Sequence, residues 1–276
     1  MDLIFIIFLI GAGILAGFMS GLLGVGGGFI FAPSMFFVLK ASGVPEEYAI
    51  LIAFGTSLSA AFPTVITGAI AHSKKGNVIW RDAVIMGLFG IAAGFIGGTA
   101  AGYVPVRVLT ILFGIMLIIG GIRLISTLPS KEGDCMKFPA AACIGGTAGF
   151  FSGLLGVGGG TILVPLMVFA GKFSMKKAAG TSAAAIAFIT VGGILSYIIN
   201  GAANPADLSA YGLCLLGYID LVMWFILSAS AVPMAVIAVK FSSKVSDKWL
   251  RRLFFILMMI IALDMFGVFD YILSII

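Results

Sequence analysis

Gly24, Gly26, Gly27 and Gly28 stand in the block SGLLGVGGG at residues 20–28. The same nine letters return at 152–160, where the matching glycines are Gly156, Gly158, Gly159 and Gly160. Three glycines in a row break a helix, since each costs about 1 kcal/mol against alanine. They also accept positive φ and let other groups approach the backbone closely. Pro33 and Pro165 follow the two blocks. Proline suits a first helical turn, so each is read as the start of a helix that resumes after the break. Such a helix would aim its free N–H groups and positive dipole end at the glycines, which is chemistry for holding an anion. Thr56 and Ser57, in the motif GTS, and Thr181 and Ser182, in its second copy, would add hydroxyl donors for the same ligand. Thr161 follows the second block where Phe29 follows the first, so two such loops would not bind alike.

Each feature also has a plainer reading. The ridges Gly13, Gly17, Gly21 and Gly90, Gly94, Gly98, Gly102 fit close helix packing in a bilayer. Hydroxyls in membrane helices often bond back to their own backbone. A nucleotide loop is a poor fit: GK[ST] is missing, and Phe29 takes the third glycine position of GxGxxG. Three cysteines without a CxxC and a single histidine, His72, give no metal site. With no His/Cys/carboxylate constellation, the expectation is a non-enzyme without cofactor. Asp220, Asp264 and Asp270 are the acids placed to carry a coupling proton.

The elements that must position these residues are set by composition. Of 276 residues, 61% are hydrophobic and 10% charged; the mean hydropathy is +1.23. Soluble domains carry about 25% charged residues. The chain therefore reads as an all-α integral membrane protein. Its net charge of +5 sits in short loops, with no basic stripe and interleaved aromatics, so nucleic acid is excluded as a partner. The N-terminus is apolar from Leu3, and its first basic residue is Lys40; it reads as part of the mature chain.

Charges and turns cut eight apolar segments: 3–39, 48–71, 78–102 and 106–126, then 138–170, 178–199, 219–239 and 250–276. The order repeats, so the reading is repeat 1 at 1–126, a polar linker at 127–137 and repeat 2 at 138–276, together one transport domain. The stretch 200–217 is long and partly apolar enough for a short interfacial helix. Segments 3–39 and 138–170 exceed a single span, because 37 helical residues would measure about 55 Å against a core of about 30 Å. Each is either one broken crossing or a hairpin turning at its glycines. With hairpins, fourteen of the sixteen Lys and Arg residues fall on one side, leaving Lys40 and Arg107 on the other. The positive-inside bias favours that arrangement. Each repeat then crosses three times, so the second is inverted relative to the first, a plan common in secondary transporters.

The duplicated GLLGVGGG blocks, each followed by a proline, with GTS downstream in both halves, resemble the TauE/SafE sulfite exporter family, also called the toluene sulfonate uptake permease family. The resemblance spans nearly the whole chain. It implies a multi-pass plasma-membrane transporter, with members linked to sulfite, sulfonates and other organosulfur anions. It carries the site onto Gly24–Gly28 and Gly156–Gly160. The leading expectation is a secondary transporter of small sulfur-containing anions, coupled to a proton or sodium ion, in a lipid bilayer and open to homo-oligomer formation. A passive anion channel and a membrane scaffold without transport are the alternatives.

Overall fold

The computed structural model describes residues 3–126, 136–169, 171, 173–203, 208, 211–241 and 247–266. These form α1 (Leu3–Leu23), α2 (Gly28–Ala41), α3 (Glu46–Ser73), α4 (Trp80–Ala101), α5 (Val106–Ser126), α6 (Phe138–Leu155), α7 (Gly160–Phe169), α8 (Met175–Ala203), α9 (Leu221–Phe241) and α10 (Asp247–Met265). By length and composition, six of them can cross a membrane: α1, α3, α4, α6, α8 and α9. Large apolar side chains such as Leu88, Phe89 and Ile96 on α4 and Phe225 on α9 are exposed. That outward surface suits lipid, and the chain is an all-α, multi-pass integral membrane protein.

Both long apolar segments break at their glycines. α1 stops at Leu23 and α2 starts at Gly28; α6 stops at Leu155 and α7 starts at Gly160. Gly24, Gly26 and Gly27 hold φ of 67°, 87° and 72°, and Gly156, Gly158 and Gly159 hold 66°, 79° and 78°. Side chains rarely adopt such values, so glycine is required there. The prolines do not mark the helix starts. Pro33 and Pro165 lie inside α2 and α7, because the left-handed glycines already set the starts several residues earlier.

The short interfacial helix expected in 200–217 falls largely on residues 204–207 and 209–210, which lie outside the described ones. α8 runs on through Ala203, and the connection closes in an antiparallel hairpin of β1 (Leu215–Leu216) and β2 (Ile219–Asp220). Most of the polar linker, 127–135, and Asp270 lie outside the described residues, as does the side chain of Asp264.

α3 is the central element. Of its most apolar stretch 78% is buried, against 33% for α1 and 39% for α4 and α9. It packs along α8; around this pair, α1 packs on α9, α6 on α4, and α5 on α10. The glycine ridges make the outer contacts close. A Cβ added at Gly17 would stand 2.2 Å from Ala231 O, and at Gly149 2.4 Å from Gly90 O. Gly90, Gly94 and Gly98 likewise meet α6 and α8, whereas Gly102 is exposed and packs against nothing but its own turn. The contacts come in reciprocal pairs. α1 meets α9 as α6 meets α4, which is the pattern two copies make across a two-fold axis.

Candidate functional site

The two glycine turns touch. A Cβ on Gly28 would stand 2.4 Å from Val157 O, and one on Gly160 would stand 2.3 Å from Val25 Cα. Each half-helix therefore starts against the loop of the other half, and every residue from Gly24 to Gly28 and from Gly156 to Gly160 is buried. Ile30 and Phe31 both donate N–H groups to Gly27 O, and Ile162 and Leu163 donate to Gly159 O. These are the first bonds of α2 and α7. The backbone ahead of them forms the helix starts, the positive ends of the helix dipoles. Two positive helix ends thus converge on one buried junction.

The middle glycines face common ground. The atoms nearest to a Cβ on Gly26 are Val65 Cγ1 at 3.3 Å and Ile186 Cγ2 at 3.4 Å; on Gly158 the nearest is Ile186 Cγ2 at 3.5 Å, with Ala61 Cβ at 3.9 Å. These nearest atoms all belong to side chains of α3 and α8. At the outer glycines of each turn the backbone itself is in the way. A Cβ at Gly24 would stand 1.9 Å from Ala179 O, and one at Gly156 would stand 2.5 Å from Phe54 Cα.

The duplicated GTS motifs hold this junction together crosswise. Ser57 Oγ shares its proton between Gly156 O at 2.7 Å and Gly28 O at 3.2 Å. Ser182 Oγ donates to Gly24 O at 2.7 Å, with Ala179 O at 3.1 Å. Each serine thus fixes the glycine turn of the opposite half. The threonines do a different job. Thr56 Oγ1 accepts the N–H of Asp220 at 2.9 Å, and Thr181 Oγ1 accepts that of Ile79 at 3.0 Å. Those amides lie just ahead of α9 and α4. All four hydroxyl side chains are fully buried.

This gives a graded expectation. Ser57→Ala and Ser182→Ala should each cost about 1–2 kcal/mol by removing a donor from a buried carbonyl. Thr56→Val should cost more, because it orphans the buried Asp220 N–H, and more than Thr181→Val, which releases the half-buried Ile79 N–H. Thermal unfolding in detergent, followed for the four single variants, checks the ranking.

Thr161 and Phe29 make the halves unequal, as their sequence positions require. Phe29 is fully buried. Thr161, with Pro165, instead borders a pocket of about 440 Å³ between α5 and α7, otherwise lined by apolar side chains such as Leu112, Met116 and Phe151. The Thr161 hydroxyl points to Met116 Sδ at 3.9 Å. Pro33 is buried within α2.

Asp220 caps α9. Its carboxylate accepts from Met223 N at 2.7 Å and Cys214 N at 3.2 Å. Burial pushes its pKa up, and those backbone donors push it back. Two side chains that the sequence reading gave no place in the site brace the helices leading into the turns. His72 Nε2 bonds Gly21 O at 2.9 Å, and the Tyr197 hydroxyl bonds Gly153 O at 2.8 Å. Both carbonyls lie one turn ahead of a glycine turn. The signal for this pair lay in the repeat itself: His72 and Tyr197 occupy matching places downstream of the two GTS motifs.

The family model described as "Sulfite exporter TauE/SafE" matches residues 9–265 of the chain. A protein named as a probable membrane transporter from Methanocaldococcus jannaschii is 28% identical over 249 residues, covering 88% of each chain. One from Haemophilus influenzae with the same description is 28% identical over 264 residues, covering 95% of this chain and 98% of its own. One from Xylella fastidiosa is 36% identical over 186 residues, covering 64% of this chain and 68% of its own.

Proposed function

Since the chain belongs to the sulfite exporter TauE/SafE family and is a membrane transporter, we propose that it carries small sulfur-containing anions, sulfite or an organosulfonate, by secondary transport across the plasma membrane. The anion binds where the two glycine turns meet. The observation that carries this reading is the pairing of two buried half-helix starts, Gly28 against Val157 and Gly160 against Val25. Backbone amides and helix dipoles supply positive potential without a buried lysine or arginine. An oxyanion has several acceptor oxygens to offer such donors. The residues that surround it are Gly24, Gly26, Gly27, Gly28, Gly156, Gly158, Gly159 and Gly160. Ser57 and Ser182 hold the turns in register, and Thr161 in place of Phe29 sets the second half-helix apart from the first, its hydroxyl turned toward Met116.

The two halves, 1–126 and 138–276, are inverted repeats in this reading, with the fourteen-residue basic side facing the cytoplasm. The reciprocal packing of α1 on α9 and α6 on α4 supports it. Single cysteines at the exposed Lys40 and Lys176, in a cysteine-free background, should label from opposite sides of sealed cells. Same-side labelling would refute the inversion.

Flux in proteoliposomes tests the substrate and the mode. Labelled sulfite or a sulfonate should accumulate uphill when a proton or sodium gradient is imposed. Flux that never passes electrochemical equilibrium would make the protein a passive channel. Absence of flux for all sulfur oxyanions would overturn the substrate class.

A further inference from the structure

His72 is the single histidine of the chain. It lies near the end of α3 and is 1% exposed. Its Nε2–H donates to Gly21 O, so the neutral ring carries its proton there and presents Nδ1 as an acceptor. Nδ1 is buried and has no hydrogen-bond partner. The other half builds the same crosspiece with Tyr197, whose hydroxyl donates to Gly153 O. A phenol satisfies the carbonyl, keeps its proton at neutral pH and leaves no ring nitrogen over. The fold is thus served by a tyrosine at this place. An imidazole adds a second, unmatched nitrogen and a charge that changes between about pH 5 and 8.

The surroundings decide what that nitrogen is for. Its own connection brings Lys74 and Lys75, and α8 opens with Lys176 and Lys177. α9 ends with Lys240, beside Val239, whose carbonyl accepts from Lys75 Nζ. α1 carries no titratable side chain. α4 opens with Arg81 and Asp82, and Asp82 Oδ2 is held by Met136 N–H at 2.8 Å. Cations predominate, so a charged imidazole is favourable here mainly in the company of an anion. The Gly24 turn is three residues beyond Gly21, and Gly180 of the second GTS motif lies beside His72, a Cβ added there standing 3.1 Å from His72 Cβ.

We infer that His72 is a proton-binding site linked to the anion site. Nδ1 takes a proton from the aqueous side as the anion arrives at the adjacent glycine turn, and gives it back when the anion leaves. No other bond changes. By linkage, anion and proton each raise affinity for the other. The ligand half of this inference rests on the anion-transport reading; the proton half does not.

Protein labelled with [15N]histidine, on a histidine-free tag, gives one imidazole spectrum. The ring should titrate within about pH 5 to 8, and saturating sulfite should move its midpoint upward. A ring that stays neutral across that range, or a midpoint that sulfite leaves in place, overturns the inference. Flux supplies the second arm. His72→Gln keeps a donor for Gly21 O, and His72→Tyr copies the other half; neither can carry the proton. Both should retain downhill sulfite exchange and lose accumulation driven by a pH gradient, which for one proton per anion is about tenfold per pH unit. Sulfite's own protonation is common to variant and wild type, so it cancels. Accumulation equal to wild type in both variants overturns the inference. If wild type moves no sulfur anion at all, the substrate reading fails, and the imidazole titration alone decides whether His72 binds a proton.

Discussion

Gly24→Val and Gly156→Val should each abolish the folded protein, whereas Gly26→Ala and Gly158→Ala should leave it folded and cripple transport. All four glycines have positive φ, so each substitution carries a backbone cost of about 1–2 kcal/mol. What separates them is the neighbour. The added Cβ meets backbone at Gly24 and Gly156, at 1.9 Å and 2.5 Å, and backbone fixed in α8 and α3 cannot step aside. At Gly26 and Gly158 it meets side-chain carbons at 3.3 Å and 3.5 Å, ordinary or slightly tight contacts. The methyl there intrudes on the ground both turns share around Ile186. Monodisperse elution from detergent separates folding from its loss, and sulfite flux at matched protein density reads the rest. Equal flux from Gly26→Ala, Gly158→Ala and wild type would move the anion site elsewhere.

Gly149→Leu is the second large effect, with an expected loss of more than about 4 kcal/mol. Gly149 lies where α6 crosses α4, and its Cβ would stand 2.4 Å from Gly90 O. A leucine forces the axes of α6 and α4 apart along their close backbone contact. Without a hydrophobic driving force between membrane helices, van der Waals contact and close approach are what hold the pair. Gly17→Leu makes the matching test on α1 against Ala231 and should be comparably severe. Gly11→Leu is the control, since nothing lies within 4 Å of its Cβ. Denaturation of the purified variants gives the comparison, and a mild Gly149→Leu would show that the ridge is not what joins the halves.

The breaks in the chain were legible because glycine triplets have few uses in a bilayer, and the duplication was legible because nine residues recur unchanged. The packing role of Gly13, Gly17 and Gly21 was legible for the same reason. Pro33 misled, since a left-handed Gly27 can start a helix without help. The split roles within GTS were hidden. Adjacent Thr56 and Ser57 point to different partners, the one to Asp220 in the approach to α9 and the other to Gly156, and neither partner is near in sequence. His72 was hidden by the drift of the repeat. The glycine blocks are 132 residues apart but the GTS motifs, and His72 and Tyr197 with them, only 125, so the shift that aligns the glycine blocks does not bring His72 onto Tyr197.

The crosswise serine bonds have a consequence for ancestry. Contacts of this kind, with each turn secured by the opposite half, are those of two identical subunits across a dyad. In such a pair every substitution appears twice. Joined into one chain, the halves can differ, and a change on one side no longer forces its image on the other. Phe29 opposite Thr161 and His72 opposite Tyr197 are differences of that sort. Within one chain, a pair of turns that a dyad would keep identical is free to have a front and a back.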